Sequence, residues 1–145
     1  MRRFYTIWLS GLGLGYLPVA PATWGSLWGL GLAYGLSYLP WTWRLVLVGT
    51  GWLLSALFIV RLLGKISSDP AWVVADEYWA LAAIAVFIPV HRLEIAGLAF
   101  FFFRFWDICK IFPADWVENL PAPWGILLDD VVAMIYTTLC LWLIV

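Results

Sequence analysis

Measured against a bilayer core that takes about 20 helical residues to cross, the apolar stretches of this chain give candidate spans near residues 24–40, 42–63, 73–90, 93–110 and 125–145. They predict an all-α fold, a polytopic helical membrane bundle of about five spans. Residues 4–20 are equally apolar, but Gly11, Gly13, Gly15 and Pro18 interrupt them. Backbone facing lipid must satisfy its own hydrogen bonds, so a short N-terminal helix and a re-entrant or surface loop are expected there. The spans are broken at Pro40-Trp41, at residues 64–70 (GKISSDP), at Pro89-Val90-His91 and at residues 113–123 (PADWVENLPAP). None of these reads as a domain linker and no internal repeat is visible, so residues 1–145 are expected to form one membrane-embedded domain.

Composition supports the membrane reading. Hydrophobic residues make up 65% of the chain and charged residues 12%, outside the range of soluble domains. A net charge of -1 leaves no basic stripe to neutralise a run of phosphates, so no nucleic-acid partner is expected. Cys109 and Cys140 lack the nearby Cys or His of a soft-metal site and read as packing residues. Arg2 and Arg3 ahead of an apolar run have the outline of a signal peptide, but a motif taken up below begins inside that run, which argues against cleavage. The tryptophans, Trp41, Trp43 and Trp116 among them, suit an interfacial aromatic belt.

Charge gives the chain an orientation. With a cytosolic N-terminus, Arg2, Arg3, Arg61, Lys65, Arg104 and Lys110 all fall inside, and only Arg44 and Arg92 fall outside. The same threading places Asp69, Asp76, Glu77, Asp107, Asp115, Glu118, Asp129 and Asp130 on the cytosolic side and leaves Glu94 alone on the other. Acids contribute little to topology, so their one-sidedness is independent information and marks a site. His91, in the outer loop PVHRLE, is read as solvated.

Several constellations carry possible chemistry. Asp76 and Glu77 lie near the start of the third span, where ionised carboxylates are expensive without partners or a metal. Arg104, Asp107 and Lys110 are spaced three apart and share a helix face, which suits an ion pair or a phosphate pocket. Asp129 and Asp130 fall just inside the fifth span, where helix amides favour negative charge. Carboxylates at the ends of three helices are able to converge on one hard cation, the chemistry of magnesium. The alternative is that the aspartates cap helices and that Arg104 and Asp107 form a snorkelling pair. In GLGYLPVAPATWGSL, residues 13–27, a Gly and Pro loop runs into a helix carrying Thr23, Gly25 and Ser26; it reads either as a phosphate-receiving helix start or as a tight turn into the first span. Asp115 and Glu118 sit in the polar loop PADWVENLPAP and are expected to lie outside the cluster.

Taken in order, GLGYLPVAPATWGSL, VVADEYWA, FRFWDICKIFP and GILLDDVVA resemble the phosphatidylglycerophosphatase A family, bacterial membrane phosphatases that make phosphatidylglycerol. The resemblance covers nearly the whole chain. It implies an all-helical, Mg2+-dependent phosphatase of the bacterial inner (cytoplasmic) membrane, multi-pass, with its active site on the cytosolic face. The substrate it implies is a phospholipid, phosphatidylglycerophosphate, which would lose its terminal phosphate. Residue by residue, it implies metal or catalytic carboxylates at Asp76, Glu77, Asp107, Asp129 and Asp130, with Arg104 and Lys110 facing the phosphate. Thr23, Gly25 and Ser26 match the family's loop-to-helix segment. The chain departs from the family pattern at Ala22, where a glycine is usual and a positive φ would be strained, at Ala80, and at Ile111-Phe112. Oligomeric state is not legible. A reading from another class remains open: a small cation transporter or a non-enzymatic assembly protein using intramembrane acids. A transporter would scatter polar groups along its path and often carries repeated halves.

The orientation is testable directly. Single cysteines introduced in the loops at residues 65–70 and 114–120 are expected to react with a membrane-impermeant maleimide only from the cytosolic side, and modification of either loop from outside would overturn the threading.

Overall fold

The computed structural model describes residues 1–64 and 70–145. Lys65 and Asp69, expected on the cytosolic side, lie outside the described residues. Those described form an all-helical protein: α1 (Arg2–Leu9), a 3-10 turn at Leu14–Tyr16, α2 (Pro21–Leu36), α3 (Trp41–Leu63), α4 (Ala75–Phe87), α5 (Leu93–Cys109), α6 (Ala114–Val117) and α7 (Trp124–Ile144). Proline sets most of the boundaries. Pro21 opens α2 at its first turn, where the missing N–H is no loss. Pro40 and Pro123 stand immediately before α3 and α7. Ile88, preceding Pro89, is extended (φ -133, ψ 121), as a residue before proline prefers, and α4 stops there.

The expected short N-terminal helix and loop are present as α1 and the 3-10 turn. α6 was not expected inside the loop at residues 113–123. Among the described residues, α3 and α7 alone are long and apolar enough, by length and composition, to cross a membrane. α4 is the shortest of the five main helices: its 13 residues rise about 20 Å, less than the ~30 Å of hydrocarbon.

That shortness fits its position. α4 is the spine of the bundle, packed against α2, α3, α5 and α7, and every residue from Ala80 to Val86 is buried. A helix apolar all round is buried all round. α2 meets it through Gly25, Gly29 and Ala33, small residues four apart that let two backbones approach closely. A Cβ on Gly25 would stand 2.7 Å from the Val74 Cβ, and one on Gly29 2.6 Å from the Tyr78 carbonyl oxygen. On the α3 side, Gly51 makes room for the Trp79 ring. Trp8 ties α1 to both helices, donating from Nε1 to Ser55 Oγ (2.9 Å) and accepting the Tyr78 hydroxyl at its carbonyl (2.8 Å). The start of α4 is fixed further by the Val74 N–H, which donates to the Leu9 carbonyl at 2.8 Å.

α2 and α4 therefore run parallel, and their two ends differ sharply in chemistry. At the C-terminal end Arg44 donates to the carbonyls of Ser37 (2.8 Å), Leu39 (2.8 Å) and Ala85 (3.0 Å). It satisfies carbonyls left over where α2 and α4 stop. His91 is exposed and flanked by the Tyr38 ring. The other end holds the acids.

Gly29→Ala is expected to destabilise the protein by about 1–3 kcal/mol, the range for overpacking, whereas Gly31→Ala, with open space around it, is expected to be neutral or stabilising. Thermal unfolding of the two variants in the same detergent checks this; equal melting temperatures would show that the α2–α4 approach is not close.

Candidate active site

Asp76 and Glu77 occupy the first turn of α4, and both are buried. Asp129 and Asp130 lie on α7, whose first turn contains no acid. Since the helix begins at Trp124, they belong to its second turn, beyond the free amides invoked from the sequence to favour their charge. The N-cap positions of α4 and α7 are held by Val74 and Pro123, so none of the three aspartates stands at a cap. What brings these residues together is the packing of α4 on α7. Asp76, Asp129 and Asp130 each place a carboxylate oxygen within 4.8 Å of the others.

Glu77 and Asp107 complete the surroundings without joining that trio. Glu77 Oε2 is buried and has no hydrogen-bond partner among the described residues. Asp107, near the end of α5, is held by Arg104 one turn earlier, as the spacing predicts. The charges of Asp107, Glu77 and Asp129 all reach Asp130. Carboxylates this close and this buried repel in a low dielectric, and the arrangement is stable only with shared protons or a cation. An all-oxygen donor set suits a hard divalent ion. The residues present therefore fit magnesium, with Asp76, Asp129 and Asp130 the best-placed ligands.

Two cations border the cluster. Arg104 donates from Nη1 to Asp107 and, at 3.5 Å, to Ser26 Oγ on α2. Its remaining N–H groups make no hydrogen bond among the described residues and stay available. Lys110 does not extend the α5 face, as its spacing had implied. The helix ends at Cys109, and Lys110 turns into the left-handed region (φ 42). This swings its ammonium across to Asp129 (3.1 Å) and Glu118 (2.6 Å). Partial burial opposes the Lys110 charge, but the hydrogen bond to Glu118 and the charge of Asp129 more than offset it and hold the ammonium above its ordinary range. Glu118, expected outside the cluster, is thereby tied to it. Asp115 is not: among the described residues its side chain accepts only the neighbouring Trp116 N–H.

The loop-to-helix segment is more enclosed than a phosphate cradle. Gly25 is buried against Val74, and Ser26 is buried, donating to the Ala22 carbonyl at 2.8 Å. Both serve to position other groups: Gly25 the start of α4, Ser26 the Arg104 guanidinium. Thr23 is half-buried in the first turn of α2, its N–H already bonded to Ala20. The positive φ feared at Ala22 falls instead on Ala20 (φ 50), so the departure from glycine at Ala22 causes no strain. Two contacts had no signal in the sequence. One is Lys110–Glu118, across a turn of irregular geometry. The other is the Tyr136 hydroxyl, which donates to the Phe112 carbonyl at 2.7 Å and pins the segment that follows Lys110.

Comparison with known proteins bears on this arrangement. The phosphatidylglycerophosphatase A family model matches residues 7–145. The chain is 33% identical over 138 residues to phosphatidylglycerophosphatase A of Haemophilus influenzae, covering 92% of this chain and 84% of that protein. It is 28% identical over 126 residues to phosphatidylglycerophosphatase A of Escherichia coli, covering 85% and 73% respectively. No solved structure matches. A family match reaching from α1 to the last residue, with a relative that aligns over nearly the same length, shows that the chain belongs to the phosphatidylglycerophosphatase A family.

Proposed function

We propose that this protein hydrolyses the terminal phosphate of phosphatidylglycerophosphate, releasing phosphatidylglycerol and inorganic phosphate, as a single multi-pass domain with its site at the cytosolic face of the bacterial inner membrane. The observation that carries this reading is the approach of the Asp76, Asp129 and Asp130 carboxylates to within 4.8 Å of one another, bordered by Arg104 and Lys110. The relatives' names supply the substrate. In this reading α2, α4 and α5 complete a five-span bundle with α3 and α7, and the short, buried α4 is sheltered from lipid by its neighbours.

Magnesium held by Asp76, Asp129 and Asp130 would supply Lewis-acid polarisation of the phosphoryl oxygens and lower the pKa of a bound water. The chain's own residues do the rest. Arg104 keeps Asp107 and Ser26 on one nitrogen, leaving its other donors to meet the phosphoryl oxygens and stabilise charge gathering there. Lys110 adds a second positive charge beside Asp129. A carboxylate of the cluster accepts the proton of the attacking water as its oxygen bonds to phosphorus. The ester bond from phosphorus to the glycerol oxygen breaks, and the carboxyl group that took the water's proton returns it to that oxygen, which leaves as the lipid hydroxyl. Acids gathered at one end of the bundle, rather than strung along a path, support hydrolysis over ion transport.

Two measurements test this. Phosphate release by the purified protein is expected to vanish in excess chelator and return with magnesium; full activity in chelator would remove the metal from the proposal. Asp76→Asn, Asp129→Asn and Asp130→Asn are each expected to lower kcat by about a hundredfold or more, with double variants little worse than single ones because the ligands act as a unit. Asp115→Asn is the control and is expected to keep near-normal turnover. Near-normal turnover in the three cluster variants would sink the assignment.

A further inference from the structure

An apolar groove of about 470 Å³ runs down the side of the bundle between α3, α4 and α7. Among the described residues α3 and α7 flank α4 without packing closely on each other. The gap is floored by small side chains, Ala80 and Ala83 of α4, with Gly49 on the α3 wall and Leu128 and Val131 on the α7 wall. Its lip is open, Leu53 being 70% exposed. The floor is aligned with the acid cluster. Asp76, Ala80, Ala83 and Phe87 fall at i, i+4, i+7 and i+11, one face of α4. The face that offers the Asp76 carboxylate at its first turn thus becomes the base of the groove one turn further along. A second apolar hollow of about 200 Å³ shares Phe87 and Met134 with the first and continues along α7 to Trp142.

We infer that this groove holds one acyl chain of the very lipid whose phosphate lies at the Asp76, Asp129 and Asp130 cluster. The inference rests on the lipid-phosphatase reading above and adds to it where the substrate's tail goes. Length favours the assignment: Leu128 and Trp142, both lining the track, are separated by about 21 Å of helix rise, enough for a chain that fills one leaflet of a hydrocarbon core of ~30 Å. Direction favours it as well, because α4 and α7 both start at the acid end, so the groove descends from the site into the cytosolic leaflet.

Lipid tails are as apolar as the groove, so the groove has no hydrophobic driving force with which to raise affinity. Its contribution is orientation. A chain held against Ala80 and Ala83 fixes the depth and azimuth of the headgroup, and reaction rates are steep in such placement.

The test uses the full chain in detergent with two substrates: phosphatidylglycerophosphate bearing long acyl chains, and the same headgroup with both chains removed. Gly49 has open space around it, so Gly49→Leu fills the groove without a clash and improves helix propensity. The variant is expected to lose about tenfold in kcat/KM on the acylated lipid, in line with the effect of misplacing a reacting group, and to keep wild-type kcat/KM on the deacylated headgroup. Leu53→Trp, at the open lip, is expected to act in the same direction and stands in if Gly49→Leu melts below the wild type. An unchanged ratio of the two substrates in a folded variant would overturn the groove assignment, leaving the tail among bulk lipids, while the phosphatase reading stands. Failure of the wild type to release phosphate from either substrate would instead remove that reading, and the groove assignment with it.

Discussion

The arrangement of this protein turns on the electrostatics of carboxylates held together at the edge of an apolar bundle. Asp76 and Asp130 are almost completely buried, and each places a carboxylate oxygen within 4.8 Å of the other and of Asp129. Burying like charges side by side costs several kcal/mol, comparable to a large part of a domain's net stability. A sequence tolerates such a cluster only where something is gained by it. Under the proposed function the gain is an oxygen-rich pocket that a hard cation would neutralise.

The holding is done by small residues as much as by large ones. Gly25, Gly29 and Ala33 bring α2 against α4, and Gly51 admits Trp79, so α4 cannot slide or rotate without a steric collision. Leu9 and Arg44 grip its two ends, one through the Val74 N–H and the other through the Ala85 carbonyl. In hydrocarbon these contacts carry weight that they lack in water. Van der Waals fit and satisfied backbone groups replace the hydrophobic effect as the source of helix association. The position of Asp76 within the trio is therefore set by packing spread across α1, α2 and α3, none of which carries a carboxylate of the cluster.

Much of this was legible in the sequence. The five main helices fall inside or close to the predicted spans, and Asp76, Glu77, Asp107, Asp129 and Asp130 gather at one end of the bundle. Asp76 and Glu77 stood out by their apolar setting, where an acid needs a reason, whereas Asp129 and Asp130 stood out by a nearness to helix amides that their place in the second turn of α7 does not give them. Other features were not legible, for identifiable causes. Apolar runs report burial or lipid exposure without distinguishing them, so the shortness and enclosure of α4 did not show in the stretch around it. Helical spacing assumed that Lys110 stays on the α5 face, whereas a left-handed residue ended the helix and sent the ammonium to α7. Gly25 and Ser26 looked like loop chemistry because a Gly-Ser pair near a helix start has that pattern; only the neighbouring helices show that one is a contact point and the other a brace for Arg104.

The left-handed turn at Lys110 also explains how two cations border one acid cluster without neutralising it. Had α5 continued, Arg104, Asp107 and Lys110 would have formed a ladder on one face, and both positive charges would have been spent on Asp107. Ending the helix at Cys109 leaves Arg104 with Asp107 and carries Lys110 to Asp129 and Glu118. Glu118 shares the ammonium, so Lys110 is divided between two carboxylates. The two cations then stand on separate elements at the rim of the cluster. In the proposed reaction they would face an incoming phosphate there, with the ion held by the carboxylates of the cluster.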